Sequence, residues 1–399
     1  MYLAHLHLEE FRSYATLDLD IDPRGVRIVG QNGSGKTSFI EAVVMLATTR
    51  SSRTSADREV VRWESGELFG VAPYARLEAE VQTQERRHQV TVAIELDRDG
   101  RQTARKTFTI DGQTSRAQDV IGTIKIVLFS PEDVQLVTGA PSERRRLIDM
   151  LISQIDRQYL RALSRYGRIL QQRNGLLKRF AKERVYHGSL PAIAELAFWD
   201  DQLIESGAYV VASRQRMIGR LSELMVARSS TLIRDAVIGL TYQSKLELGP
   251  TSDTPNVASR AQELAVRFQM QLAEVRAEEF RRGLTVIGPH RDDVVFGINE
   301  RDLATYGSRG QQRLGVVALK LSEGDLIAEA TGEMPILLLD DVLSELDASH
   351  RELLLEAVAT TDRQLLVTST EADPLDHPAL ADLPLVYVKD GAISSSSNS

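Results

Sequence analysis

The chain has 399 residues, 42% hydrophobic and 26% charged, with a formal net charge of -8 and no cysteine. That length exceeds a usual single core and predicts a large lobe plus a smaller one. The composition excludes a disulfide framework, thiolate metal sites, a bilayer span of roughly 18 apolar residues and indiscriminate binding of polyanions, so any nucleic-acid contact must come from local basic patches.

The N-terminus, "MYLAHLHLEEFRSYATL", alternates apolar and polar residues and reads as a strand, not a signal peptide. A cytoplasmic location is the expectation. "TLDLDI" from Thr16 and "GVRIVG" ending at Gly30 read as further strands, and "SFIEAVVMLAT" from Ser38 as a helix with Phe39, Val43, Leu46 and Ala47 on one face. "ARLEAEVQ", "HQVTVAIELD" and "KTFTIDG" read as an antiparallel meander with turns at "DRDG" and "DGQ". "IKIVLFS" from Ile124 reads as a buried strand.

From Pro141 the pattern becomes helical. Ile148, Ile152, Ile155, Tyr159, Leu163, Tyr166, Leu170 and Leu177 recur at three- and four-residue steps, which predicts one long helix on the order of 45 Å. A second is predicted from near Pro191 through Leu224, and a third over about Val257 to Arg281. Strands and turns return with "LTVIGPHRDDVVFGI", followed by the turn "YGSRGQQR", the helix "GVVALKLSEGDLIAEA", the strand "PILLLDD", a helix from His350, the strand "QLLVTST" and a closing hairpin. The "SSSSNS" tail is too polar to pack.

Three segments carry chemistry. "GQNGSGKT", Gly30 to Thr37, satisfies GxxxxGK[ST] between an apolar strand and an apolar helix. Its glycines let the backbone wrap so that the N–H groups of Gly33, Ser34, Gly35 and Lys36 converge on phosphate oxygens, with Lys36 reaching the terminal phosphates and Thr37 ligating Mg²⁺. "PILLLDD" is an apolar strand ending in Asp340 and Asp341, the first suited to hold Mg²⁺ and the second to polarise a water. "SRGQQ", Ser308 to Gln312, opens a helix and offers a hydroxyl, a glycine N–H and a helix N-terminus, which is a second anion site or an N-capped turn. His290 reads as structural, since the seven histidines show no metal spacing.

Together these segments resemble the ABC-type ATPase head, in which ATP lies between one subunit's phosphate loop and a partner's signature turn. More narrowly, the chain resembles the RecF family of the SMC-like group. The resemblance covers nearly the whole length: "EFRSY" before the phosphate loop, "TTRSSRTSADREVVR", "FSPEDVQLVTGAPSERRRLID", "GPHRDD", "YGSRGQQR" and "LLLDDVLSELD". Leu147 departs from the family's usual aromatic. The resemblance implies an α/β fold: an ABC-type head from residues 1–134 and 286–391, an inserted helical arm over 135–285 and a disordered tail over 392–399.

It further implies ATP binding by Gly30, Gln31, Asn32, Gly33, Ser34, Gly35, Lys36, Thr37, Ser38 and Arg12, and Mg²⁺ held by Thr37 and Asp340. Lys36 and Asp341 are the catalytic residues implied, and Ser308, Arg309, Gly310 and Gln311 act in trans in a homodimer. The turn Ser344 to Asp347 is expected at the dimer interface. No histidine follows "QLLVTST", so Thr368 or Thr370 has to serve as switch, and the glutamine loop falls on Ser130, Glu132 or Gln135. The shorter acid at Asp341 and the missing histidine imply slow hydrolysis.

The implied function is ATP-dependent clamping of duplex DNA at single-strand gap junctions in recombinational repair, with RecR, and through it RecO, as partners in loading RecA. A transporter ATPase subunit would carry its signature nearer the phosphate loop. A chromosome-structuring or break-repair ATPase would need far longer heptad arms. DNA contacts are expected from the basic segment Pro141 to Arg184, which includes Arg144 and in which Arg157, Arg161, Arg165 and Arg168 share one helix face, or from Arg50, Arg53, Arg58 and Arg62 on the head. The alternative for the helical stripe is a solvated face paired with acids of the next helix.

Overall fold

The computed structural model describes residues 1–66, 70–97, 104–232, 236–249, 256–359 and 363–395. Most of the "DRDG" turn, part of the loop before residue 256 and the last four residues lie outside them. The chain divides into two compact units, one of Met1–Val134 with Val316–Ser399 and one of Gln135–Gly315.

In the first unit the chain opens with β1 (Tyr2–Phe11), β2 (Tyr14–Asp20), β3 (Gly25–Val29) and helix α1 (Lys36–Thr48). The meander follows as β4 (Tyr74–Gln82), β5 (Arg87–Leu96), β6 (Ala104–Ile110) and β7 (Gln113–Ser115), then β8 (Ile126–Phe129). The second unit begins with helices α2 (Pro141–Ile155), α3 (Arg157–Glu183) and α4 (Leu190–Leu232). It continues with β9 (Ile238–Gln243), α5 (Val257–Glu274), α6 (Arg276–Arg282), β10 (Asp293–Ile298), β11 (Arg301–Asp302) and α7 (Leu303–Tyr306). Helix α8 (Arg309–Thr331) leads the chain back into the first unit, which closes with β12 (Ile336–Asp340), α9 (Val342–Glu345), α10 (Ala348–Ala359), β13 (Leu365–Ser369), β14 (Leu385–Lys389) and β15 (Ala392–Ser395).

Among the described residues the first unit holds two sheets, an antiparallel one in the order β2-β1-β4-β5-β6-β7 and a largely parallel one in the order β15-β14-β3-β13-β12-β8. Alternate residues of the first sheet, such as Leu6, Leu8, Leu77 and Val92, pack with Ile28, Leu338 and Leu366 of the second and with Phe39, Val43 and Leu46 of α1 in one core. The mixed pattern follows from the sequence: period-two strands where one face is solvated, continuous apolar runs where both are covered.

The second unit is held by its apolar helix faces and by buried ion pairs. Arg173 is fully buried, with Nε donating to Asp200 at 2.7 Å and Nη2 to Glu279 at 2.6 Å. A guanidinium enclosed this way needs all its donors met, and Thr285 takes another at 2.8 Å.

Four expectations about organisation change. The single helix from Pro141 is two, because Asp156 stops one and caps the next by accepting from the N–H groups of Gln158 and Tyr159. The helix after Val257 is likewise interrupted at Val275. The second unit ends at Gly315, not 285, because β10 pairs along its whole length with β9 and draws the following residues with it. Of the expected tail, Ala392–Ser395 form a strand antiparallel to β14, while residues 396–399 lie outside the described residues.

Candidate nucleotide site

The phosphate loop runs from the end of β3 into α1. Gly35 has φ +123°, open to glycine, and a Cβ there would stand 2.8 Å from Ser13 Oγ. A Cβ on Gly30 would stand 2.4 Å from the carbonyl oxygen of Val388, so the chain passes there only without one. Tyr14 supports the turn from below, its hydroxyl donating to the Gly35 carbonyl at 3.1 Å.

Lys36 Nζ donates to the carbonyls of Gly30 at 2.7 Å and Gln31 at 3.2 Å, folding the side chain back over the loop. Burial lowers its pKa, and Asp341 and Asp340 oppose that shift. Thr37 Oγ1 donates to Asp340 Oδ1 at 3.2 Å. The parallel register sets Asp340 of β12 opposite Thr368 of β13, whose hydroxyl donates to the same carboxylate at 2.9 Å. It also accepts the backbone N–H of Asp341 at 3.0 Å. Burial raises the pKa of Asp340 against the hydrogen bonds from Thr368 and Thr37.

Asp341 adopts a left-handed backbone, φ +54° and ψ 21°, and its carboxylate and carbonyl both accept from Ser344 Oγ, at 2.9 and 2.7 Å. Asp347, the last residue of that turn, caps α10 by accepting from His350 N at 3.0 Å. Its pKa falls to about 2 through that backbone hydrogen bond and those from Ser349 and His350.

The site suits a nucleotide with a divalent ion. Ser34 Oγ is buried in the loop without a partner, Gly33 has open space where a Cβ would be, and the Asp340 carboxylate is desolvated short of a full countercharge. Among the described residues no group of three or more His, Cys, Asp and Glu side chains is placed to hold a metal. One hydroxyl and one carboxylate match a Mg²⁺ that takes its remaining ligands from phosphate and water.

Arg12 is left-handed at φ +53° and gives Nε and Nη2 to the two oxygens of Glu41, at 2.9 and 2.7 Å, and Nη1 to the Glu59 carbonyl at 2.6 Å. Glu41 was not singled out in the sequence. Its signal was there, since it is the one acid in the helix and stands within its apolar run, four residues after Thr37. Ser51 Oγ donates to the same carboxylate at 2.5 Å, and Arg53 Nη1 lies 4.0 Å from it.

In the second unit Ser308 and Gln311 form a reciprocal cap on α8: Ser308 N donates to Gln311 Oε1 at 2.9 Å, and Gln311 N to Ser308 Oγ at 3.2 Å. Ser308 and Arg309 are exposed, Gly310 and Gln311 partly so. Gln312 is buried and donates to carbonyls of α7, including that of Ala304 at 3.2 Å, which fixes the turn's angle.

The basic stripe is divided. Arg157, Arg161 and Arg168 are exposed on α3, while Arg165 is held by Gln202 and by Glu205 at 3.0 Å, as in the alternative reading. Arg144 is not a surface cation: it is 9% exposed, pairs with both oxygens of Asp293 at 2.8 and 2.9 Å, and donates to the carbonyls of Leu136 and Gly139. His290 is structural. Its Nε2 donates to the Thr285 carbonyl at 3.1 Å, which leaves Nδ1 to accept from the Tyr166 hydroxyl at 2.6 Å, and burial lowers its pKa to about 4.

A parallel sheet with a phosphate loop after one strand, an acid pair after another and a serine-capped signature helix defines an ABC-type ATPase head of the SMC-like kind. The family model described as RecF/RecN/SMC N terminal domain matches residues 2–387. A DNA replication and repair protein RecF of Thermomicrobium roseum is 44% identical, covering 98% of this chain and 99% of its own. That of Chloroflexus aurantiacus is 41% identical with the same coverage. The solved recombination mediator protein RecF-ATP in the RecFOR pathway superposes with a TM-score of 0.82 at 26% identity, covering 99% of this chain and 97% of that one. An Smc head bound to the C-winged helix domain of ScpA superposes at 0.52 with 15% identity over 99% and 97%, a likeness of fold alone. The chain belongs to the RecF family.

Proposed function

We propose that this chain is an ATP-binding protein of DNA replication and repair that closes as a homodimer on duplex DNA near single-strand gap junctions and reopens on slow hydrolysis. The observation that carries this reading is the exposed Ser308–Gln311 turn, preformed on a unit other than the one that bears the phosphate loop. A relative solved with ATP supports nucleotide binding at the loop. RecR and RecO are the partners this reading implies, with RecA as the protein loaded and the cytoplasm as the location. No helix among the described residues is long and apolar enough to cross a membrane.

Lys36 leaves the Gly30 and Gln31 carbonyls to meet the terminal phosphates, and the backbone N–H groups of Gly33 to Lys36 cradle them. Mg²⁺, held by Thr37 and Asp340, would supply charge neutralisation. Asp341 accepts the proton of the attacking water, and Thr368 holds Asp340 and the Asp341 backbone in place. Ser308, Arg309, Gly310 and Gln311 of a second copy complete the site from the other side. Of the glutamine-loop candidates, Ser130 and Glu132 lie in the first unit and Gln135 opens the second.

The test is solution mass with and without ATP and Mg²⁺ for wild type and Ser308→Arg. The reading expects ATP to convert wild type from monomer to dimer while the variant binds ATP and stays monomeric. Equal behaviour would reduce the turn to a helix cap.

A further inference from the structure

The side chain of Trp63 is 99% exposed, although its backbone is fixed on both sides. Before it, Arg62 N donates to the Glu10 carbonyl at 2.8 Å, and Val61 bridges Phe11. After it, buried Ser65 exchanges hydrogen bonds with the backbone of Tyr74, at 2.7 and 2.9 Å. An indole wholly in water costs solubility and gains nothing in folding, so a rigid mount with a free ring is the form of a contact surface.

Along the same segment the acids and the arginines differ in how far they are paired. In the stretch from Arg50 to Glu64 the acids are already partnered: Asp57 with Lys106, Glu59 with the Thr54 hydroxyl, Glu64 with Arg62 at 2.9 Å. Arg50, Arg53 and Arg58 stay exposed. The stretch is also tied to the nucleotide site, since Ser51 and Arg12 both hold Glu41 of α1, and Arg12 in turn donates to the carbonyls of Glu59 and Val60.

An exposed aromatic ring in the same short segment as exposed arginines fits a nucleic-acid strand whose bases are unstacked, because a base stacks on the ring while guanidinium groups meet its phosphates. We propose that Trp63 is a stacking platform for the first unpaired base of a single-strand/double-strand DNA junction, with Arg58 on an adjacent phosphate. This rests on the DNA reading above. It places junction preference in one side chain and general affinity in its neighbours.

The full-length protein with ATP and Mg²⁺ would be titrated with a blunt duplex and with the same duplex carrying a single-stranded tail. Trp63→Ala is expected to lose the preference for tailed over blunt DNA by about fivefold or more, and Trp63→Phe to restore part of it. Arg58→Glu is expected to weaken both DNAs alike and flatten the salt dependence. Tailed DNA should quench wild-type tryptophan fluorescence and leave Trp63→Phe, which keeps Trp199, unquenched. If wild type binds both DNAs and Trp63→Ala discriminates as wild type does, the platform is overturned and the DNA reading stands. If Trp63→Ala instead loses the ATP-dependent mass shift, the ring is a protein interface and the platform is again overturned. If wild type binds neither DNA, the DNA reading itself fails and the platform with it.

Discussion

Thr368 Oγ1 lies between the Asp340 carboxylate, 2.9 Å away, and the backbone N–H of Asp341, 3.0 Å away, so one hydroxyl sets both acids of the pair. Thr368→Val removes a donor and an acceptor from a fully buried place, and leaving such groups unmet costs about 1–3 kcal/mol. The expected result is a lower midpoint in urea and a loss of ATP turnover with ATP binding kept. Thr368→Ser should restore both.

At Gly35 the backbone and the neighbours act together. Gly35→Ala forces a side chain onto φ +123° and against Ser13 Oγ, with a strain of about 1–3 kcal/mol. Isothermal titration should show ATP affinity falling at least tenfold, because the loop N–H groups no longer converge. Unchanged affinity would mean that the loop adapts at little cost.

Two arginines of the same basic segment should separate cleanly. Arg144→Ala strands Asp293 and costs about 3–5 kcal/mol by chemical denaturation. Arg161→Glu, on an exposed position, should leave stability within about 0.5 kcal/mol. If the stripe on α3 touches DNA, Arg161→Glu weakens binding at low salt with nucleotide binding intact. Unchanged DNA affinity moves the contact to the head.

His290 gives a pH dependence with a definite sign. Its pKa is lowered to about 4 from an unfolded value of 6.5, so between those limits the unfolded chain binds more protons and stability is lost as the pH falls. The contribution is fully present above pH 6.5 and gone below about pH 4, on the order of 2–3 kcal/mol given its partial exposure. Denaturation midpoints of His290→Gln, followed from pH 7 to pH 4, should lack that part of the slope.

What the sequence disclosed was local. The loop Gly30–Thr37, the acids at the end of β12 and the Ser308 turn are written in adjacent residues, and the pattern located them. Pairings between distant segments were not legible. Periodicity ran straight through Asp156, because an N-cap changes one residue's role without changing the apolar spacing around it. The register of β10 on β9 moved a domain boundary for the same reason. Arg144 looked like its neighbours in charge, and only the place of Asp293, far along the chain, shows it to be interior.

The left-handed backbone of Asp341 has a practical consequence for engineering. A non-glycine residue there carries strain that glycine would relieve, yet glycine would delete the carboxylate. Under the role proposed for Asp341, the exchange that relaxes the backbone is also the one that removes the acceptor of the water's proton and the partner of Ser344. Relaxing this backbone and keeping turnover are therefore opposed demands on a single residue, and Asp341→Gly is expected to hold nucleotide without consuming it.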